Sequence, residues 1–164
     1  LNNNAPMTPE QLEVAGAFVD ELLELHVLLE EDLTEKDGLA ILLLNAPLFV
    51  VLKEGQEGEW RVIADMLRGG QNACMGSDPV FLPRSSHILD QEMYQGGYTA
   101  VVDVSKFFYQ FSTHTEDRPY LGLRHPITDV LYAYGDLPMG AGSSPCLASR
   151  YGLSLLRMLR AQCK

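Results

Sequence analysis

The stretch PLFVVLKEGQEGEWRVIA, residues 47–64, decides how the rest of the chain is read. Its first part, Pro47 to Leu52, is apolar and valine-rich and runs into Lys53. Its last part, Trp60 to Ala64, resumes the same β-favouring character with Arg61 inside it. Between them, Glu54 to Glu59 is polar and carries Gly55 and Gly58. Two strand-like runs around a glycine-containing turn predict a β-hairpin with Lys53 and Arg61 at its two stems.

Toward the N-terminus, Thr8-Pro9-Glu10-Gln11 combines an N-cap Thr, Pro at the first helical position and Gln where a capping box needs it. Leu12, Ala15, Phe18, Val19 and Leu22 then fall at helical spacing, while Glu13, Asp20, Glu21 and Glu24 take the opposite face. The pattern predicts an amphipathic helix from about Pro9 to Glu31, its acidic face in water and His26 a boundary residue on it. Residues 1–7, LNNNAPM, read as a frayed end. Glu35 to Gly38 reads as a turn.

Toward the C-terminus, Arg68 to Asn72 breaks structure and residues 73–83 read as loop. Ser85 or Ser86 caps a short helix over His87–Tyr94 that Gly96 and Gly97 stop. Tyr98–Val104 reads as a strand, Phe107–Phe111 as a helical or turn-like aromatic segment, and Tyr120–Leu123 with Val130–Tyr134 as another strand pair. Gly140–Pro145 is a loop. After it, Leu147, Ala148, Tyr151, Leu155, Leu156 and Leu159 recur at helical spacing, predicting a helix to the chain end. Helices and hairpins kept apart, without strict βαβ alternation, give an α+β fold.

At 164 residues the chain is one domain or part of a larger one. Its 46% hydrophobic and 21% charged residues are ordinary globular proportions, which exclude extended disorder, collagen and coiled coil. Apolar runs such as Ala40–Leu44 are too short to cross a bilayer, so no membrane span is expected. Cys74, Cys146 and Cys163 form an odd set without CxxC spacing and read as reduced thiols of an intracellular protein, its compartment open. The chain starts at Leu1 without a signal-peptide pattern and is expected to be an excerpt of a longer reading frame. The net charge of −10 lies almost wholly in residues 1–60, which hold 13 acids and 2 bases against 9 acids and 10 bases in the remainder. Bulk electrostatics therefore gives no grip on nucleic acid, and any such reading must rest on particular residues.

Asp103 is the most informative of these. It closes an almost wholly apolar strand, where an unpaired carboxylate is costly to bury. Two readings stay open: a ligand of a hard divalent ion such as Mg2+, or a cap on the following turn or a residue in water. Lys53 and Arg61 either converge on one anion, a point charge beside a bidentate fork, or balance Glu54 and Glu59 as surface charges. Leu137–Pro145 runs from a strand into a helix start whose N–H groups can face an anion. It lacks the Gly-Lys-Ser/Thr of a Walker loop and by itself is a tight turn. The four histidines and three cysteines show no zinc spacing, and no Gly-x-Ser-x-Gly elbow supports serine hydrolase chemistry. Phe107, Phe108, Tyr109 and Phe111 read as core aromatics.

Taken in order, PLFVVLK (47–53), EWRVIADMLR (59–68), AVVDVSKFF (100–108) and LPMGAGSSP (137–145) resemble the fingers and first part of the palm of a reverse transcriptase of the retroviral and retrotransposon type. Each motif is weak alone; four in register over about residues 40–160 are specific. The resemblance implies a right-hand polymerase fold: an N-terminal helix and turn over 1–38, a fingers-like region over 39–97 and a partial palm over 98–164. It implies that Asp103 is a catalytic aspartate and ligand of both Mg2+ ions (Mn2+ being the alternative), with the Val104 carbonyl a further metal ligand. Lys53 and Arg61 would hold the triphosphate of an incoming dNTP. Phe108 would be the steric gate against a ribose 2′-OH. Met139 and Gly140 would meet the nucleotide and template, many relatives having Gln at the former, and Asp65 and Arg68 would lie near the template strand.

The implied partners are a dNTP and an RNA or DNA template-primer, with no membrane and the oligomeric state open. One departure is large. The Tyr-x-Asp-Asp-type motif expected downstream is absent from these 164 residues, which hold no Asp-Asp pair. The expectation is a fragment of an RNA-directed DNA polymerase, built for two-metal nucleotidyl transfer and inactive alone. The alternative is a non-catalytic retroelement-derived remnant that serves as a nucleic-acid or protein binding module. A third reading is an acidic interaction domain acting through residues 8–31.

Overall fold

The computed structural model describes residues 1–29, 42–56, 58–76 and 103–162. The expected turn at Glu35–Gly38, the short helix over His87–Tyr94 and all but the end of the strand over Tyr98–Val104 lie outside those residues. Helix α1 spans Pro9–Glu24, and its start follows the sequence: the Thr8 hydroxyl accepts from the Gln11 N–H while the Gln11 side chain accepts from the Thr8 N–H at 2.9 Å. Its end does not. The helix stops at Glu24, short of the expected Glu31, and His26 takes a left-handed conformation with φ 56°. The His26 N–H then donates to the Leu23 carbonyl and the Val27 N–H to the Leu22 carbonyl, both at 2.9 Å. This is a Schellman cap with a histidine where glycine is usual. Leu22 and Val27 are both buried, so the early stop seals an apolar contact and sends Leu28 to bridge Tyr134.

The expected hairpin is present. Strands β2, Leu48–Leu52, and β3, Trp60–Ala64, pair antiparallel with Val50 opposite Val62. Strand β1 is only Asn45–Ala46, and Pro47, which has no N–H to add to a ladder, divides it from β2. Strand β1 joins a second sheet, parallel to β4, Gly122–Arg124, which is antiparallel to β5, Leu131–Ala133. Gly122 lets β1 and β4 approach: a Cβ there would lie 2.5 Å from the Leu44 carbonyl oxygen. Val19 and Leu22 of α1, Leu48 of the hairpin, and Leu123 with Tyr134 of the second sheet region share one core cluster.

Several local expectations are corrected. Residues 1–7 are tied down where fraying was expected: Asn45, fully buried, exchanges two hydrogen bonds with the Asn2 backbone, at 2.7 and 2.8 Å, and the Asn4 amide bonds the Leu48 N–H and the Arg124 carbonyl. Side-chain amides here do the work of a neighbouring strand. Residues 71–74, read as break and loop, form the short helix α2, Gln71–Cys74. Its buried Gln71 spans the Ala46 N–H and the Met66 carbonyl, which anchors the turn to β1. Asp103 and Val104 do not continue a strand; they are exposed and lead into a turn. The aromatic segment makes a 3-10 turn over Phe107–Gln110; its rings are half-buried, and among them Tyr109 packs against the core cluster. Another such turn, Arg118–Tyr120, precedes β4. Helix α3 runs Ser144–Gln162, and Phe111 packs on its Tyr151 with ring centroids 4.4 Å apart. No described helix is long and apolar enough to cross a membrane.

Candidate functional site

The hairpin is the floor of the site. Lys53 follows β2 and its N–H donates to the Glu59 carbonyl at 2.8 Å, which continues the ladder one step past the Leu52–Trp60 pair. Arg61 lies opposite Val51, so Lys53, Glu59 and Arg61 share one face of the ribbon. The Lys53 ammonium contacts the Glu59 carboxylate at 2.6 Å, both side chains about half in water. The surface-pair reading of Lys53 is therefore realised in part, with Glu59 as its partner.

A cavity of about 510 Å³ opens between this hairpin, α1, the Phe107–Gln110 turn and the loop before α3. Lys53, Arg61, Met139 and Gly140 line it, four of the five residues given nucleotide-binding roles above. They come from two segments far apart in sequence, and the fold brings them together. Phe108 is half-buried in the adjoining turn and does not line the cavity. Its neighbour Tyr109 does, together with Lys106, Glu21 and Trp60. Lys106 has φ 52° and its ammonium pairs with the Glu21 carboxylate of α1. Burial, and then the nearby Glu21 carboxylate, push the Tyr109 phenol upward. The fully buried Tyr134 at the back is raised strongly, by burial and then by Tyr109. Both phenols are held neutral, as wall and potential donor, in ordinary water.

The loop that carries Met139 and Gly140 is fixed by a residue the sequence did not single out. The Asn72 amide donates to the Gly140 carbonyl at 3.2 Å and accepts from the Gly142 N–H at 2.8 Å. Gly140 takes φ 98°, and a Cβ there would stand 3.3 Å from the Ala64 carbonyl oxygen, so the loop lies close against β3. Just beyond that loop, the buried Ser144 hydroxyl donates to the Pro138 carbonyl at 2.8 Å. Nothing in local sequence marks Asn72, because its partners lie 68 and 70 residues downstream.

The remaining candidates do not line the cavity. Asp65 accepts from the Arg68 N–H at 2.9 Å and caps the turn after β3; Arg68 is exposed. Asp103 and Val104 are exposed and do not line the cavity. Among the described residues, no three of His, Cys, Asp and Glu come together as a set that could hold a metal ion. Of the expected Mg2+ ligands, the described residues hold the Asp103 carboxylate and the Val104 carbonyl next to it. A second cavity of about 640 Å³ lies near α2, the Arg118–Tyr120 turn and the start of α3, and none of the sequence-predicted site residues lines it.

No family model matches the chain. It is 25% identical over 130 residues to the Gag-Pro-Pol polyprotein of squirrel monkey retrovirus, an alignment covering 72% of this chain. The same alignment covers 6% of the polyprotein, so the chain corresponds to a small part of that relative's length. The chain is thus distantly similar to a segment of a retroviral polyprotein.

Proposed function

We propose that the chain is the fingers and N-terminal palm portion of an RNA-directed DNA polymerase, and that the cavity beside the hairpin takes the polyphosphate of an incoming dNTP. The observation that carries this reading is the convergence of Lys53 and Arg61 with Met139 and Gly140 on one cavity. A triphosphate asks for cations that can stand beside it and for backbone near enough to follow it. The two hairpin bases and the glycine loop offer both. The likeness to a retroviral Gag-Pro-Pol polyprotein supports the same reading. Phe108 as sugar gate, and Asp65 with Arg68 near the template, belong to this proposal, as does Asp103 as the reacting centre's first carboxylate.

In this reading the chain binds nucleotide but does not extend a primer alone, because its described residues lack a carboxylate set for metal. Titration of the purified chain with dTTP tests the binding claim. Lys53→Ala/Arg61→Ala is expected to weaken binding by about tenfold or more, the loss of charge-assisted contacts to phosphate. Equal affinity in the double variant would sink the proposal. Primer extension by the chain alone, abolished by Asp103→Ala, would overturn the expectation that it is inactive by itself. The non-catalytic binding-module reading is favoured if template-primer binds and nucleotide does not.

A further inference from the structure

We infer that Lys106 is a third cation of the polyphosphate site, and that Glu21 and Glu59 are internal counter-ions which the ligand must displace. The inference rests on the proposal that the cavity takes a polyphosphate. Three bases line it: Lys53, Arg61 and Lys106. Each lysine is already matched with a carboxylate, Lys53 with Glu59 at 2.6 Å and Lys106 with Glu21. The pairs are reached from different directions, since Glu59 comes from the hairpin and Glu21 from α1, 85 residues before Lys106. No ion pair is found for Arg61 among the described residues.

Of the two carboxylates, Glu21 lines the cavity itself, and Glu59 reaches it through its contact with Lys53. A bound polyphosphate offers several oxygens to each ammonium and can replace one carboxylate oxygen with two or three contacts. Both lysine pairs are half-exposed, with side chains between 43 and 53% accessible, so they cost little to open. Lys106 stands immediately before the 3-10 turn, with a left-handed backbone. The acidic face of α1 thus gains a role beyond solvation. It supplies the carboxylate that keeps Lys106 occupied until an anion arrives, and it disfavours ligands with too few negative charges to compete.

The test is calorimetric titration of the full chain with inorganic tripolyphosphate and with dTTP at fixed ionic strength. Lys106→Gln is expected to weaken both by about fivefold to tenfold, and Lys106→Arg to restore most of that loss. Glu21→Gln and Glu59→Gln are expected to tighten binding by about twofold to fivefold. Glu13→Gln removes the same charge from an exposed position of α1 and is expected to change little, which separates displacement from a general field effect. Binding lost in Lys53→Ala/Arg61→Ala but unmoved by Lys106→Gln and Glu21→Gln would overturn this inference and leave the proposed site standing. Equal tightening by Glu13→Gln and Glu21→Gln would overturn the counter-ion role. Binding indifferent to the double hairpin variant would remove the proposed site itself.

Discussion

Helices α1 and α3 are built to similar plans, 16 and 19 residues long with apolar side chains at helical spacing, and they meet opposite surroundings. Along α1, Ala15, Val19 and Leu22 are buried against the hairpin and the second sheet. Along α3, burial ends within about a turn of its start: Ala148 is covered, while Leu153, Leu155, Leu156, Met158 and Leu159 are each close to half exposed or more. The charges differ as well. Helix α1 carries five acids and no base, and from Leu137 to Lys164 the sequence holds bases and no acid. Amphipathic spacing thus predicts that a helix forms and says nothing about what covers it; the cover of α1 comes from residues 46–66 and 121–134.

The strongest test of that contrast is truncation of equivalent leucines. Leu22→Ala is expected to cost about 2–5 kcal/mol, the transfer loss plus the cavity left in a packed cluster. Leu156→Ala, on an exposed stretch of α3, is expected to stay within about 0.5 kcal/mol. Urea denaturation of the two variants measures both; equal losses would mean that α3 is packed in solution. A second difference depends on pH. Tyr134 sits under α1 with its phenol raised above 10.0 by burial. The unfolded chain then releases that proton first, so stability is full below about pH 10 and falls as pH rises beyond it. Thermal melts between pH 8 and 11 are expected to show this fall, and Tyr134→Phe to reduce it, the raised Tyr109 phenol keeping a smaller part. A third, smaller effect belongs to the start of α1. Thr8→Ala removes one side of the capping box and is expected to cost about 1 kcal/mol by the same denaturation measurement.

These variants also mark what was legible beforehand. The start of α1 and the hairpin at 48–64 follow from neighbours in sequence: Thr8 with Gln11, and two β-favouring runs around Gly55 and Gly58. The end of α1 was hidden because His26, not glycine, takes the left-handed position. The ordered N-terminus was hidden because Asn2 and Asn4 reach partners more than 40 residues away. The candidate site divides the same way. Lys53 and Arg61 could be paired from the hairpin alone, and resemblance joined them to Met139 and Gly140. Lys106, Glu21 and Asn72 stayed out of view, since each acts through a contact only the folded chain creates.

The smallest effect is expected where the two helices differ most. Leu156→Gln/Leu159→Gln changes two large apolar side chains that lie one turn apart on α3, both more than half exposed. Glutamine and leucine have similar helix propensities, so the helix itself loses little. Little buried area is given up, so the midpoint of urea denaturation is expected to move by no more than the measurement error. What should change is the surface. An exposed apolar stripe of this kind binds hydrophobic dyes and other apolar surfaces, and anilinonaphthalene sulfonate fluorescence is expected to fall in the double variant while stability holds. A fall in both would show that α3 is covered by the chain itself, and the contrast with α1 would then be one of degree.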